Sequence, residues 1–264
     1  MILPTDASPA GPAASPAMPA PDGERGGDRP GGPGDPGGPP PHEPPPPPPR
    51  EPAINAPPGT LGLVVVILAF FAVIRLGPEG LQHTLIVELS VIPGRAMLAL
   101  ADPLSGTGLL AAANLVSHTL VHYDLIHVLA NAGFLLAFGS LVERVVGTRR
   151  FLTLFALSAA LGAVVQIAAD RLAGAGDMTV MFGASGGVAG AMGAAVALMI
   201  FHRGGRAARR LGLNLILALV VVNLLFALFG GAILGVDADI AWEAHLAGFA
   251  AGFLMLGPAL PRVA

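Results

Sequence analysis

The sequence predicts an all-α membrane protein, a six-transmembrane-helix bundle behind a disordered tail rich in Pro and Gly. Three observations predict it. The chain is 53% hydrophobic and only 12% charged over 264 residues, with mean hydropathy +0.71. Beyond the tail it holds several uncharged apolar runs long enough to span a bilayer, residues 178–201 among them. Of its 26 prolines, 21 fall in residues 1–58, where too few large apolar side chains exist to form a core.

Residues 1–58 therefore read as a disordered tail, with polyproline II character in the run from Pro44 to Pro49. The membrane domain is residues 59–264. Its start lacks the basic stretch and apolar core of a secretory signal peptide, so none is expected. The first span covers about residues 60–76, with Arg75 near its end, where a long side chain reaches the interface. Residues 77–122 mix Gln82, His83, Glu88, Pro93, Arg95, Asp102 and Pro103 with apolar residues, too broken a pattern to span. Within them, residues 81–89 and 97–100 read as short interfacial helices in a long loop. The remaining spans cover about residues 123–142, 151–169, 181–201, 211–234 and 244–260.

All 14 basic residues are Arg, and their distribution sets the orientation. Arg144, Arg149 and Arg150 follow span two, and Arg203, Arg206, Arg209 and Arg210 follow span four. Arg25, Arg29 and Arg50 lie in the tail and Arg262 at the other terminus. The loops after spans three and five carry Asp170 and Asp177, and Asp237 and Asp239, with Arg171 the single cation. The expectation is a multi-pass protein of a bacterial inner membrane with both termini cytoplasmic. Topology accounts for the Arg cluster after span four, so no nucleic-acid partner is expected. The chain has no Cys, which excludes disulfides, thiol catalysis and Cys-based metal sites.

Three polar clusters stand out inside the spans. Residues 181–190, MFGASGGVAG, place one hydroxyl, Ser185, at the mouth of span four among small residues. A small-xxx-small helix face, with Gly186 and Gly190 spaced as GxxxG, is one reading; a nucleophile inside the membrane is the other. In span six, His245 shares a face with Gly248 and Gly252. An interfacial imidazole facing water is the plain reading there. Ser185 carries its own small face, Ala189 and Gly193, and both residues lie near the outer ends of their spans. Helices meeting through these faces would bring serine and imidazole together, and an imidazole within hydrogen-bond reach is a general base for a serine. In span two, His127 and Asn131 are four residues apart on one face, and both can donate hydrogen bonds to an oxyanion.

Competing patterns are weaker. His118 and His122 form an HxxxH pair, but Thr119 stands where a zinc protease carries Glu. They read instead as pinning the first loop, and no metal or cofactor is expected. Gly183, Ser185 and Gly187 fit G-x-S-x-G, yet that elbow needs a strand and an α/β sheet, and no alternating pattern precedes it. No carboxylate is placed to complete a triad: Glu243 lies on the far side of the helix from His245. A transporter would carry ionisable groups in several spans, but outside the three clusters the interiors offer Gln166, Asn214 and Asn223.

Taken in order, these clusters resemble the rhomboid family of intramembrane serine proteases. The resemblance covers about residues 60–260 and rests on His118, His122, His127 and Asn131, on Gly183, Ser185 and Gly186, and on His245, Gly248 and Gly252. It implies a six-helix bundle with Ser185 as nucleophile and His245 as general base and acid. It also implies an oxyanion held by His127, Asn131 and the Ser185 backbone N–H, and transmembrane proteins of the lipid bilayer as substrates. A catalytically inactive relative that binds membrane helices is the alternative. Glu143, Arg144 and Gly147 match the family's charged end of span two. Two features depart from the pattern. Ala113 and Asn114 replace a frequent Trp-Arg pair, and Ala189 replaces an aromatic that stacks on the histidine.

The topology is testable in this cysteine-free chain. Cysteines at Gly204 and Asp237 should react oppositely with an impermeant thiol reagent, with only residue 237 labelled from outside. Labelling of residue 204 alone from that side would invert the bundle.

Overall fold

A run of glycine and alanine forms the centre of the bundle. Helix α8 (Ser185–Ala197) continues through a π-helical turn to His202, and from Gly186 to Leu198 every residue but Met192 is buried. Of this span, 67% is buried by protein, more than of any other. In the computed structural model the described residues are 55–174, 178–202, 205–234 and 241–257, with residues 226–234 described as backbone only. Residues 1–54 of the expected tail, and Asp177, Arg203, Gly204, Asp237, Asp239 and Arg262, lie outside the described residues, and Pro58 already belongs to the first helix.

The residues around α8 explain why it is so small-sided. Helix α7 (Thr148–Leu172) lays the Phe155 ring over Gly187, where an added Cβ would come within 2.6 Å of the ring. On α10 (Trp242–Met255), a Cβ at Gly248 would strike the Gly186 carbonyl oxygen, and one at Gly252 the Gly190 carbonyl oxygen. Gly193 in turn leaves room for the Phe249 carbonyl. The two backbones thus touch over two turns, a distance at which Cα–H groups meet carbonyl oxygens. The small faces expected on spans four and six are in contact here. Gly162 of α7 meets the Ala244 carbonyl, 2.8 Å from where a Cβ would stand, so α7 closes on α10 in the same way.

Around this core, α1 spans Pro58–Leu76. Helix α5 (Leu125–Phe134) runs through a π-helical turn into α6 (Ser140–Val146) as one 22-residue span, and α9 covers Arg206–Leu234. Among the described residues, five helices are long and apolar enough to cross a membrane. The expected sixth, α10, has 14 residues and ends at Met255. Span four begins as a helix at Ser185 rather than residue 181, because Gly183 takes φ +121° and breaks the run.

Span one is held at its start by Glu143. The buried carboxylate accepts from Gly59 N–H (2.9 Å), Thr60 N–H (2.6 Å), Thr60 Oγ1 (2.7 Å) and Thr148 Oγ1 (2.6 Å). Pro58 opens α1 with a preset φ, and the next N–H groups, which have no carbonyl one turn back, find an anion instead. A single side chain therefore joins the starts of α1 and α7 to the end of α6.

The first loop is more helical than its sequence suggests. It holds α2 (Glu79–Leu89), α3 (Pro93–Ala101) and α4 (Gly106–Ser117), then a 3-10 turn at His118–Leu120. Helix α4 was not expected; Ser105 caps it, accepting from Gly108 N–H at 3.0 Å. Buried Asn114, at the position of the family's arginine, accepts from Arg95 (3.1 Å) and donates to the Glu88 carbonyl (2.7 Å). The guanidinium is supplied from α3 and also contacts Glu88 at 3.5 Å. Val91 and Met181 exchange backbone hydrogen bonds of 3.0 and 2.9 Å, which ties this loop to the segment before Ser185. His118 and His122 are both buried beside that segment. Burial holds both imidazoles below the ordinary 6.5, and His122, further lowered by neighbouring His127, sits at about 3.

Two outcomes follow from this packing. Gly252→Leu should force α10 off α8 and lower stability by about 3 kcal/mol, read as an earlier unfolding midpoint in a denaturing-detergent titration; an unchanged midpoint would mean the contact is dispensable. The unfolded chain regains ordinary histidine pKa values, so between about pH 6.5 and 3 it binds more protons than the folded chain. Stability should be complete above that window and fall as pH drops through it, and His122→Gln should flatten the thermal-midpoint profile.

Candidate active site

Ser185 is the first residue of α8, placed by a segment whose backbone is bonded at Met181, Gly183 and Ala184. Met181 pairs with Val91, Gly183 N–H donates to the His118 carbonyl (2.9 Å), and Ala184 N–H points at His122 Nε2 (3.4 Å). Of the two paired histidines, one meets this segment through its backbone and the other through its ring. His118 Nδ1 faces the Asn114 carbonyl at 2.9 Å, so this ring is itself anchored. Gly183 is required twice. Its φ of +121° is one that other residues rarely adopt, and a Cβ there would lie 2.9 Å from His127 Cε1.

His245 is the fourth residue of α10. The preceding Ala244 N–H donates to Gln166 Oε1 at 3.3 Å, and Gln166 Nε2 donates to Asp170 at 2.8 Å, so α7 caps the start of α10. With Gly248 against Gly186 and Gly252 against Gly190, the two helices hold one register. That register sets His245 Nε2 2.8 Å from Ser185 Oγ, although 60 residues separate them in the chain. The other ring nitrogen, Nδ1, lies 3.2 Å from Asn223 Oδ1 on α9.

His127 and Asn131 stand on the facing side. Asp124 caps α5 by accepting from His127 N–H at 2.7 Å, and the His127 ring meets His122 edge-on at 4.9 Å between centroids. The His127 ring and the Ser185 hydroxyl flank Gly183, within 2.9 and 3.9 Å of the same point beside its Cα. Buried Asn131 donates back to the His127 carbonyl at 3.1 Å, leaving its second amide hydrogen for other use. No described hydrogen bond joins His127 or Asn131 to Ser185. Ser185 itself is half-buried and lines a small cleft with His118, Phe182, Gly183, Ala241 and Ala244.

Of the expected site residues, Ser185 and His245 meet directly, and Gly183, Gly186, Gly248 and Gly252 permit the approach. His118 and His122 brace the serine segment, and His127 and Asn131 face it. Sequence reasoning missed the contacts of Asn223 and Gln166. The available signal was their polarity within apolar spans, where such groups face the protein interior.

The description "Rhomboid domain" matches residues 111–262, more than half of the chain and all three polar clusters. No curated protein matches the sequence. An all-helical integral membrane domain built around α8, matched over that length, establishes that the chain belongs to the rhomboid family, whose members are usually intramembrane serine proteases.

Proposed function

We propose that the protein is an intramembrane serine endopeptidase that cleaves single-pass transmembrane proteins with a Ser185–His245 dyad. The observation that carries this reading is the 2.8 Å separation of Ser185 Oγ and His245 Nε2 across two different spans. A serine hydroxyl is a weak nucleophile until a base accepts its proton. As Ser185 Oγ attacks the scissile carbonyl, its proton passes to His245 Nε2. The same nitrogen then returns it to the departing amine, and a second cycle with water frees the acyl group.

The developing oxyanion has donors near at hand. Ser185 opens α8, where backbone N–H groups have no carbonyl one turn back, and the helix dipole favours negative charge there. The His127 ring and the remaining Asn131 amide hydrogen complete the set in this reading. Substrate helices interrupted by glycine are the ones that unwind most readily to present a carbonyl to the cleft.

The proposal extends to topology. Helix α10 is the sixth span, both termini are cytoplasmic, and the membrane is a bacterial inner membrane. An even number of spans is what Arg residues near both chain ends require.

Ser185→Ala and His245→Ala should each abolish cleavage of a transmembrane reporter by purified protein while unfolding midpoints stay near wild type. The double variant should be no worse than either single one, because residues acting as one unit are non-additive. A serine-reactive phosphonate should label Ser185 and lose most of that labelling in His245→Ala. Asn131→Ala should lower turnover by roughly 10²-fold with little change in the Michaelis constant. Cleavage that survives Ser185→Ala would sink the protease reading and leave an inactive relative that binds helices.

A further inference from the structure

Helix α9 is the least embedded span, with 11% of Arg206–Leu225 buried by protein. Among its described side chains only Gly212 and Asn223 are buried, while Val220, Val221, Val222, Leu224 and Leu225 are exposed. Among its described residues the one sizeable side chain that is fully buried is therefore an amide, 3% exposed, and it meets His245. Asn214, the other amide of the helix, is exposed. An amide buried at membrane depth is unfavourable without partners, and Asn223 has one on each side.

We infer that Asn223 is a positioning residue that selects the tautomer of His245 and aims its Nε2 lone pair at Ser185. This rests on the protease reading above. The geometry leaves one consistent set of protons. Asn223 Nδ2 donates to the Leu219 carbonyl at 2.8 Å, and a carbonyl can only accept. The amide therefore turns its Oδ1 toward the imidazole. Oδ1 can only accept as well, so the 3.2 Å contact requires the hydrogen of His245 to be on Nδ1. Nε2 is then unprotonated and accepts from Ser185 Oγ–H at 2.8 Å. Rotating the amide would set two oxygens against each other at Leu219 and stabilise the other tautomer, whose Nε2–H cannot take a proton from serine.

The chain of polarity runs from an α9 carbonyl through Asn223 and His245 to Ser185. It performs with a neutral amide the orienting task that a carboxylate performs in soluble serine proteases. It also supplies what Ala189 cannot, since a methyl group offers the imidazole no ring to stack on. A neutral acceptor stabilises the imidazolium less than a carboxylate does, so the expected effect is smaller than the roughly 10⁴-fold of the soluble triads.

Asn223→Leu keeps the volume and suits a lipid-facing helix. It should lower kcat on the transmembrane reporter by roughly 10- to 10²-fold, with KM within about twofold. The decisive readout is ¹⁵N NMR of the His245 ring at neutral pH, assigned by its loss in His245→Gln. Wild-type protein should show the Nδ1–H tautomer, and Asn223→Leu a mixture or the Nε2–H form. A wild-type Nε2–H tautomer overturns the inference whether or not any variant folds. So does a wild-type kcat in Asn223→Leu, or a fall in kcat with the tautomer unchanged. Failure of the protease reading registers separately, as cleavage that survives Ser185→Ala.

Discussion

Backbone contact between α8 and α10 is the constraint on which the rest of the structure depends. Gly248 and Gly252 lie so close to the Gly186 and Gly190 carbonyls that no side chain fits at either α10 position. In a bilayer, lipid is as apolar as leucine, so helices associate through close packing rather than expulsion of water. Glycine at these positions exposes carbonyl oxygen and Cα to a neighbour and gives up helix propensity in return. The same packing fixes rotation and axial register together. Because Ser185 lies one residue before Gly186 and His245 three before Gly248, their 2.8 Å meeting is a direct consequence of the helix contact.

Several buried polar groups follow a second rule: they are tied to a partner on another element. Glu143 gathers the start of α1 and the side chain of Thr148. Gln166 caps α10 from α7. Asn114 takes a guanidinium from α3 and returns a hydrogen bond to the end of α2. Such links are strong where water is scarce, because the alternative is an unpaired group in hydrocarbon. They set where helix ends stop, whereas the glycine faces set how helices lie. The site needs both, since its serine starts one helix and its histidine stands one turn into another.

Helix α9 differs from its neighbours. Its surface is largely apolar and exposed, and its inward amide reaches the imidazole. The base of the proposed dyad is thus oriented from the span with the least protein around it. A displacement of α9 by a few ångströms would separate Asn223 from His245 without touching the α8–α10 contact. Orientation of the base and assembly of the dyad therefore rest on different helix pairs.

By itself the sequence determined five of the helices long and apolar enough to cross a membrane, because crossing hydrocarbon demands about 20 apolar residues. It also determined which faces are small enough for close approach, because helical spacing puts Gly248 and Gly252 beneath His245. The meeting of Ser185 and His245 was legible for that reason. Only the tertiary structure decided what crosses between distant elements. Glu143 as the anchor of α1, Arg95 as the source of the guanidinium on Asn114, and Asn223 as the partner of His245 leave no periodic pattern. Helix α4 was also hidden, since Gly106, Gly108 and Asn114 weaken its local signal and its stability comes from contacts with the rest of the loop. Helix periodicity reports the face that a residue occupies. The partner on the other side is chosen by packing, and two polar residues far apart in sequence are matched only when the bundle closes.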